Sequence, residues 1–462
     1  MKLPVIAIFD IGKTNKKLLL FDQQYKLLHE ESTQITETTD EDGYACEDID
    51  ALSKWILDRY NKILTDERFR VKAINFSAYG ASFVHVDADG KPITPLYNYL
   101  KPFPETLKKS FYNKYGGESL IAKQTASPVL GNLNSGMQLY RLKYEKPELY
   151  NAIKYSLHLP QYISYLITGL KCTDITSVGC HTNLWNFQKN GYHHWVEKEG
   201  LVEKFPALKS HDETVTITQK GEPIFSGIGL HDSSAALIPY LASFKEPFVL
   251  LSTGTWCISI HPFNHTLLTD YELHQDCLSY LTYEGKPVKA SRLFAGYEHE
   301  QQVKRLAQHF DKPVEYYKTV TYEPSRIRKA GKKAKNAILG GETAMVKSSS
   351  FSKKPLDEFA TYEEAYHHLI QALILQQVQS TKIVLSGSPV KTIFVDGGFG
   401  KNPIYMNLLA QAFPGIKVYA ATVAQASSLG AALAIHKSWN KKAIPSDIID
   451  LQLYDPQNEM AV

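Results

Sequence analysis

Val5-Ile-Ala-Ile-Phe9, Asp10-Ile-Gly-Lys-Thr-Asn15 and Leu18-Leu-Leu-Phe-Asp22 together decide the fold. An apolar run rich in β-branched residues, a polar turn and a second apolar run read as a strand hairpin. Asp48–Leu64 follows, with Leu52, Trp55, Ile56, Tyr60 and Ile63 at the spacing of one helix face, and Lys72–Phe76 returns to strand. Hairpin, helix, strand is the opening of an α/β domain with a mixed sheet. The pattern is echoed later. Phe248–Leu251 is apolar, Ser252-Thr-Gly-Thr255 is a small polar turn, and Trp256–Ile260 is apolar again. The echo predicts two related α/β halves, 1–243 and 244–462, with Lys245-Glu-Pro247 as connector. Pro104–Leu170 is mostly helical in pattern, Phe359–Gln379 predicts a helix, and Thr392–Val395 predicts a strand running into Asp396-Gly-Gly398, with a helix after Pro403. The stretch beyond Ser438 reads as peripheral.

Composition excludes several classes. The chain has 462 residues, 44% hydrophobic and 21% charged, ordinary for a globular protein of two or three domains. A net charge of +3 gives no ground for a nucleic-acid or membrane partner. The cysteines (Cys46, Cys172, Cys180, Cys257 and Cys277) are odd in number and scattered, which predicts reduced thiols rather than a disulfide framework. The apolar start is too short for a signal sequence, and no run approaches the roughly 20 residues of a membrane span. The expectation is a cytoplasmic protein acting on a small molecule, with a homodimer left open.

Three turns have the chemistry to meet phosphate, and each follows an apolar strand. In Asp10-Ile-Gly-Lys-Thr-Asn-Lys-Lys17, Gly12 permits a tight turn, Thr14 and Asn15 add donors, and Lys17 supplies positive charge. Asp10, at the strand end, suits a magnesium ion held through water. Leu251-Ser-Thr-Gly-Thr255 offers Thr253, Gly254 and Thr255. Val395-Asp-Gly-Gly-Phe-Gly-Lys-Asn402 offers Gly397, Gly398 and Asn402 ahead of a helix N-terminus. Each turn also has a plain reading as punctuation between strands. Between the first two lies Phe225-Ser-Gly-Ile-Gly-Leu-His-Asp-Ser-Ser-Ala235, where Asp232 stands at the start of a helix. Phosphoryl transfer needs a positioned base, a divalent metal and phosphate donors. Asp232 is the candidate base, and an N-cap role is compatible with it. Other patterns fail. Gly12-Lys-Thr14 lacks the leading glycine of a P-loop, with Ala7 in its place. Gly227-x-Gly229 lacks the third glycine of a dinucleotide fingerprint. Cys172, Cys180 and His181 do not fit a standard zinc spacing. The basic segment Ser325–Lys354 reads as a surface loop, or as a loop approaching a phosphorylated ligand.

On these motifs the sequence resembles the FGGY carbohydrate kinases of the actin-like ATPase superfamily, over nearly the whole chain. Asp10, Gly12, Thr14 and Lys17 match the family's first phosphate loop, with Lys13 and Asn15 departing from it. Pro147-Glu-Leu-Tyr150, Leu159-Pro-Gln-Tyr162 and Leu166-Ile-Thr-Gly169 are similar to its helical signature. Gly229-Leu-His-Asp232 resembles the catalytic segment, Ser252-Thr-Gly-Thr255 the second phosphate loop, Asp396-Gly-Gly398 with Asn402 the nucleotide motif, and Ser428-Leu-Gly-Ala-Ala432 the closing helix. The resemblance implies two actin-like (ribonuclease H-like) α/β domains with mixed sheets around a central cleft. It implies ATP and Mg2+ as cofactors, with Asp10 and Asp232 at the metal and Asp232 as base. Tyr79, Gly80, Ser82, Tyr99, His231, Asp232 and Trp256 are the implied sugar contacts. Ala78-Tyr-Gly-Ala-Ser-Phe83 and His231-Asp-Ser-Ser-Ala235 look closest to the fuculose and rhamnulose kinases. That points to a 6-deoxy-ketohexose or a ketopentose, phosphorylated on a primary hydroxyl, with Tyr79, Phe83 and Trp256 as an apolar wall for its methyl group. Glycerol or xylulose is the alternative acceptor, and a non-catalytic actin-like ATP-binding regulator the alternative class. Asn98-Tyr-Leu-Lys-Pro102 departs from the family's usual W-x-D, putting a cation, Lys101, where relatives often carry a carboxylate.

Overall fold

The computed structural model describes residues 2–219, 221–327, 348–423 and 425–455. The chain divides into two compact units. The first comprises Met1–Ser243, Ser279–Pro287 and Ala424–Ile448, and the second Phe244–Leu278, Val288–Val423 and Ile449–Val462. A single cut after residue 243 therefore does not separate them, since two later segments return to the first unit.

In the first unit the sheet contains β1 (Leu3–Ile11), β2 (Lys16–Phe21), β3 (Leu27–Thr33), β4 (Phe69–Ala78), β5 (Val215–Gln219) and β6 (Glu222–Ser226), with the short β7 (Leu230–His231) beside β4. β1 runs antiparallel to β2 and parallel to β4. The hairpin strands are longer than the sequence suggests, because Asp10 and Ile11 continue the ladder against Lys17 and Lys16. The turn shrinks to Gly12–Asn15. β1 is central, and Val5–Phe9 are all fully buried, which explains an apolar run without alternation. Helix α1 (Ile49–Thr65) is capped by Asp48, whose carboxylate accepts from the Ala51 amide at 2.9 Å. Its Leu52, Ile56 and Ile63 join Phe9, Phe76 and Val5 in one core. Helix α2 (Leu159–Thr168) stops at Gly169, whose φ of +71° suits glycine. Helix α3 (Asp232–Ser243) begins at the candidate base.

The sheet of the second unit has the order β11-β9-β8-β12-β13-β14, and β10, which is divided between the two units at Ser279, pairs beside β11. The strands are β8 (Phe248–Thr253), β9 (Cys257–His261), β10 (Cys277–Leu281), β11 (Pro287–Leu293), β12 (Thr392–Gly397), β13 (Lys417–Thr422) and β14 (Asp450–Tyr454). Around them lie α4 (Ala295–His309), α5 (Tyr362–Leu385) and α6 (Pro403–Ala412). Tyr366, Leu369 and Leu373 of α5 pack with Val249, Leu251, Ile393 and Val395 of the central strands. The order β3-β2-β1-β4-β6-β5 of the first unit and β11-β9-β8-β12-β13-β14 of the second show the same succession: antiparallel, antiparallel, parallel, parallel, antiparallel. The sequence echo is thus a repeat of sheet topology, in two α/β units with mixed sheets. The stretch after Ser438 is not merely peripheral: β14 pairs with β13 and forms the sheet's edge.

Helix α7 (Ala426–Ala434) completes the first unit. A Cβ on Gly430 would lie 1.8 Å from the Ala235 carbonyl oxygen of α3, so only glycine permits this crossing. All five cysteines are buried, and none of them is in a disulfide. Among the described residues no helix is long and apolar enough to cross a membrane. Most of the basic segment expected at Ser325–Lys354 lies outside the described residues; Arg326 is paired with Glu323 at 2.6 Å.

Candidate functional site

In the first unit, two carboxylates stand at strand and helix ends. Asp10 lies on the last turn-ward stretch of β1, and its Oδ2 accepts from Ser427 and Ser428 Oγ of α7 at 2.6 and 2.7 Å. Burial raises its pKa, the two serines oppose that rise, and the negative charge of Asp232 adds to it. Asp232 Oδ1 accepts from the Ser233 amide at 2.6 Å, and His231 Nε2 lies 3.6 Å from it. Its side chain keeps about a third of its surface, yet enough protein surrounds it to push the carboxyl up to about 6. A carboxylate with this pKa is mostly ionised at neutral pH and still basic enough to accept a proton. Two interacting carboxylates with oxygen-only donor atoms suit a hard divalent cation such as magnesium.

The phosphate-loop candidates are more tied down than the sequence implied. The Gly12 amide closes its own turn by donating to Asn15 O at 2.9 Å, and Gly254 does the same to Trp256 O at 2.9 Å. These two amides are therefore not presented to an anion. Thr14 and Asn15 are exposed on the turn, and Asn15 accepts from Gln34. Lys17 Nζ forms an ion pair with the Glu30 carboxylate at 3.0 Å and donates to the Gln425 side-chain amide oxygen at 3.0 Å.

A residue missed by sequence reasoning braces this turn from below. Lys16 is 1% exposed, forms an ion pair with Glu47, and donates to the Lys13 carbonyl at 3.0 Å. Glu47, also buried, accepts from the Tyr79 hydroxyl at 2.7 Å. Lys16–Glu47–Tyr79 thus links the turn to the segment expected to meet sugar. The available signal was a lysine at an inward strand position, which requires a buried partner.

Of the expected sugar contacts, the structure brings Gly80, His231 and Asp232 together. A Cβ on Gly80 would lie 2.3 Å from His231 Nε2. Tyr79 and Tyr99 meet edge to face at 6.3 Å. Ser82 is buried, with its hydroxyl 3.3 Å from the Gly80 carbonyl. Trp256 belongs to the second unit, where it packs on Phe294 at 4.4 Å beneath the Arg292 guanidinium. Phe83 is a core side chain, fully buried at 4.1 Å from the His158 ring, and so offers no wall to a ligand. Lys101 does not present its charge to a ligand either. It is 4% exposed and paired with Asp40 and with Asp42, the latter at 2.7 Å.

The second unit contains a cavity of about 470 Å3 lined by Thr253, Gly254, Gly296, His299, Tyr317, Lys318, Gly398, Phe399, Lys401, Asn402 and Pro403. Thr253 ties its loops: its hydroxyl donates to Asp396 O at 2.5 Å and accepts from the Phe399 amide, and its carbonyl accepts from the Gly398 amide at 2.8 Å. Gly397, at φ +90°, lies so close that a Cβ would be 2.0 Å from Thr253 O. Its glycine requirement comes from its own neighbour, not from a ligand. Gly398 is open, with nothing nearer than 3.9 Å. Asn402 is a helix cap, accepting from the Ile404 and Tyr405 amides and donating to the Tyr366 hydroxyl at 2.7 Å. Sequence reasoning missed Gly296, whose added Cβ would lie 1.8 Å from Gly254 O, and the aromatic wall. In that wall His299 lies 5.2 Å from Phe399 and 5.0 Å from Tyr317. Aromatic faces above a glycine turn and a 15-residue helix start (α4) suit a flat base carrying phosphates.

The comparisons agree with this architecture. Among solved structures, a carbohydrate kinase from Novosphingobium aromaticivorans superposes with a TM-score of 0.77 at 22% identity, covering 99% of this chain and 95% of the other. A xylulose kinase from Lactobacillus acidophilus gives 0.76 at 18% identity, covering 99% and 94%. Among curated proteins, a rhamnulokinase from Halalkalibacterium halodurans is 24% identical over 258 residues, covering 54% of this chain and 52% of the relative. An L-fuculokinase from Escherichia coli is 24% identical over 274 residues, covering 55% and 56%. The chain thus spans about half the length of the curated relatives it matches. The family model for the N-terminal domain of the FGGY family of carbohydrate kinases matches residues 5–234, and that for the carbohydrate kinase FGGY C-terminal domain matches 245–443. With both domain models matched in order along the two α/β units, the chain belongs to the FGGY family of carbohydrate kinases.

Proposed function

We propose that this chain is an ATP-dependent carbohydrate kinase that transfers the γ-phosphate to a primary hydroxyl of a ketose of the 6-deoxy-ketohexose or ketopentose type. The observation that carries the reading is Asp232. Its carboxyl is pushed up to about 6, lies beside His231, whose ring abuts Gly80, and interacts with Asp10. In the reaction Asp232 Oδ accepts the proton of the attacking hydroxyl as the oxygen–phosphorus bond forms and ADP leaves. Gly80, Tyr99 and His231 orient the sugar, with Tyr79 and Ser82 shaping the segment from within. In the first unit the exposed Thr14 and Asn15, with Lys17, are the phosphate-facing groups; in the second unit Thr255, Gly398 and the aromatic wall receive the nucleotide. Asp10 and Asp232 would hold Mg2+, which when bound neutralises phosphate charge and offsets the repulsion between the two carboxylates.

The 6-deoxy preference is supported by the rhamnulokinase and L-fuculokinase among the curated relatives. Burial of Lys101 between Asp40 and Asp42 removes the cation that argued against such a sugar. With Phe83 in the core, the apolar wall falls to Tyr99, backed edge to face by the buried Tyr79. One methyl in such a pocket is worth about 1–3 kcal/mol, so related sugars are expected to react more slowly rather than not at all. An ADP-release assay over rhamnulose, fuculose, xylulose, ribulose and glycerol tests the assignment. Highest kcat/KM for a 6-deoxy-ketose supports it, and a higher value for glycerol or xylulose overturns the sugar while leaving the kinase. Absence of turnover with every acceptor, together with ATP binding, would favour the non-catalytic regulator.

A further inference from the structure

A cluster outside the proposed magnesium pair has the chemistry of a different metal. Cys180, His181 and His231 each bring a ligand atom within 4.8 Å of the other two. A zinc ion bound by one sulfur and two nitrogens holds those atoms about 3.3–3.6 Å apart, so inward movement of about an ångström closes the set. Two observations mark the cluster as more than a chance grouping. His181 Nδ1 lies 3.0 Å from the Leu133 carbonyl, the second bond that fixes a ligating imidazole's tautomer and leaves Nε2 as donor atom. His231 is 4% exposed, and its Nδ1 is buried with no hydrogen-bond partner. The local backbone is set for it: His181 has φ +41°, a left-handed conformation that turns its side chain relative to that of Cys180.

We propose that Cys180, His181 and His231 form a three-ligand site for a thiophilic divalent ion, Zn2+ in particular, with a fourth position open. A thiolate and two imidazoles favour Zn2+ over Mg2+, whose preferred ligands are oxygens. Binding displaces the Cys180 proton to solvent and joins sulfur to the metal, with no change of oxidation state. The spacing Cys-His followed by a histidine 50 residues later matches no zinc motif, and only β7, placed beside β4, brings His231 to the pair. His231 also touches Gly80 and adjoins Asp232. An ion there occupies the sugar side of the site, so the chain is inhibited by Zn2+ in competition with its ketose; this consequence rests on the function proposed above, whereas binding itself does not.

The test uses ZnCl2 and CoCl2 on the full chain in excess Mg2+. The Co2+ form is expected to show a thiolate-to-cobalt absorption band, absent in Cys180→Ser. Zn2+ affinity is expected to fall by more than about 100-fold in Cys180→Ser and in His181→Asn, since losing a ligand exceeds the 10–100-fold cost of losing a ligand's support. Asparagine tolerates the left-handed backbone, so His181→Asn keeps the test alive where the buried serine disturbs folding. With the sugar identified, Zn2+ should raise KM for the ketose and not for ATP, and Cys180→Ser should turn over normally while resisting Zn2+. Binding or inhibition unchanged in both variants, or relieved in full by added Mg2+, places the ion on Asp10 and Asp232 and overturns the site. Failure of kinase activity together with a cobalt–thiolate band would overturn the function and leave the metal site standing.

Discussion

The two units share one succession of strands but brace their first turn in different ways. In the first unit the turn after β1 is held by buried charge: Lys16 paired with Glu47 and donating to the Lys13 carbonyl, and Asp10 clasped by Ser427 and Ser428. In the second, the turn after β8 is held by close backbone contact, with Gly296 against Gly254 and Gly397 against Thr253. A charge network can set the pKa of neighbouring groups and orient a polar substrate. Backbone contact leaves side-chain space for an aromatic cavity. The difference teaches that repeated topology fixes where a turn stands, while the side chains beneath it decide whether the turn serves proton transfer or nucleotide binding.

The largest expected effect separates chemistry from nucleotide binding. Asp232→Asn should lower kcat by about 10²–10⁴-fold, the usual cost of losing a general base, with ATP affinity in calorimetry unchanged. Near-normal turnover by the folded variant would break the assignment of chemistry to the first unit. Next comes the brace. Glu47→Gln leaves Lys16 buried without its counter-charge, and removing one partner of a buried pair costs about 3–5 kcal/mol. Chemical denaturation should show that loss, and a cost near zero would mean the pair does not hold the turn. Exposed pairs such as Lys54–Asp58 should show none of it.

The glycines sharpen the contrast. Gly296→Ala and Gly397→Ala place a Cβ 1.8 and 2.0 Å from backbone oxygens, and such overpacking typically costs about 1–3 kcal/mol or more. Gly398→Ala has room and should fold normally, whereas Gly398→Val should weaken ATP binding while preserving stability. Unchanged ATP affinity in Gly398→Val would move the nucleotide away from this cavity. The smallest effect is on pH. Asp232 acts as a base only when ionised, and burial holds its carboxyl up at about 6. In the sugar-limited regime kcat/KM should be flat above that pH and fall about tenfold per unit below it. An acid limb near the ordinary aspartate value, about 3.9, would show that burial does not act on the free enzyme.

Much of this was legible without coordinates. The apolar runs Val5–Phe9 and Phe248–Leu251 announced strands, and the structure adds that they are central, covered on both faces with no polar side to alternate. The spacing of Leu52, Trp55, Ile56, Tyr60 and Ile63 announced α1, because one helix face repeats locally along the chain. Asp10, Asp232 and the glycine turns were visible because short motifs carry their own backbone requirements. What sequence could not supply was the partner of each side chain. It placed Gly12, Gly254 and Asn402 at ligands, and the structure spends those groups on turn closure and helix capping. It left Lys101 as a charge facing the sugar, and the structure buries it against Asp40 and Asp42. It missed Lys16–Glu47–Tyr79, the ring wall of His299, Tyr317 and Phe399, and the meeting of His231 with Cys180 and His181. Local order follows from neighbouring residues along the chain. Pairings between residues tens to hundreds of positions apart follow from how sheets and helices stack, and only the tertiary structure decides which buried charge or nitrogen finds a partner there.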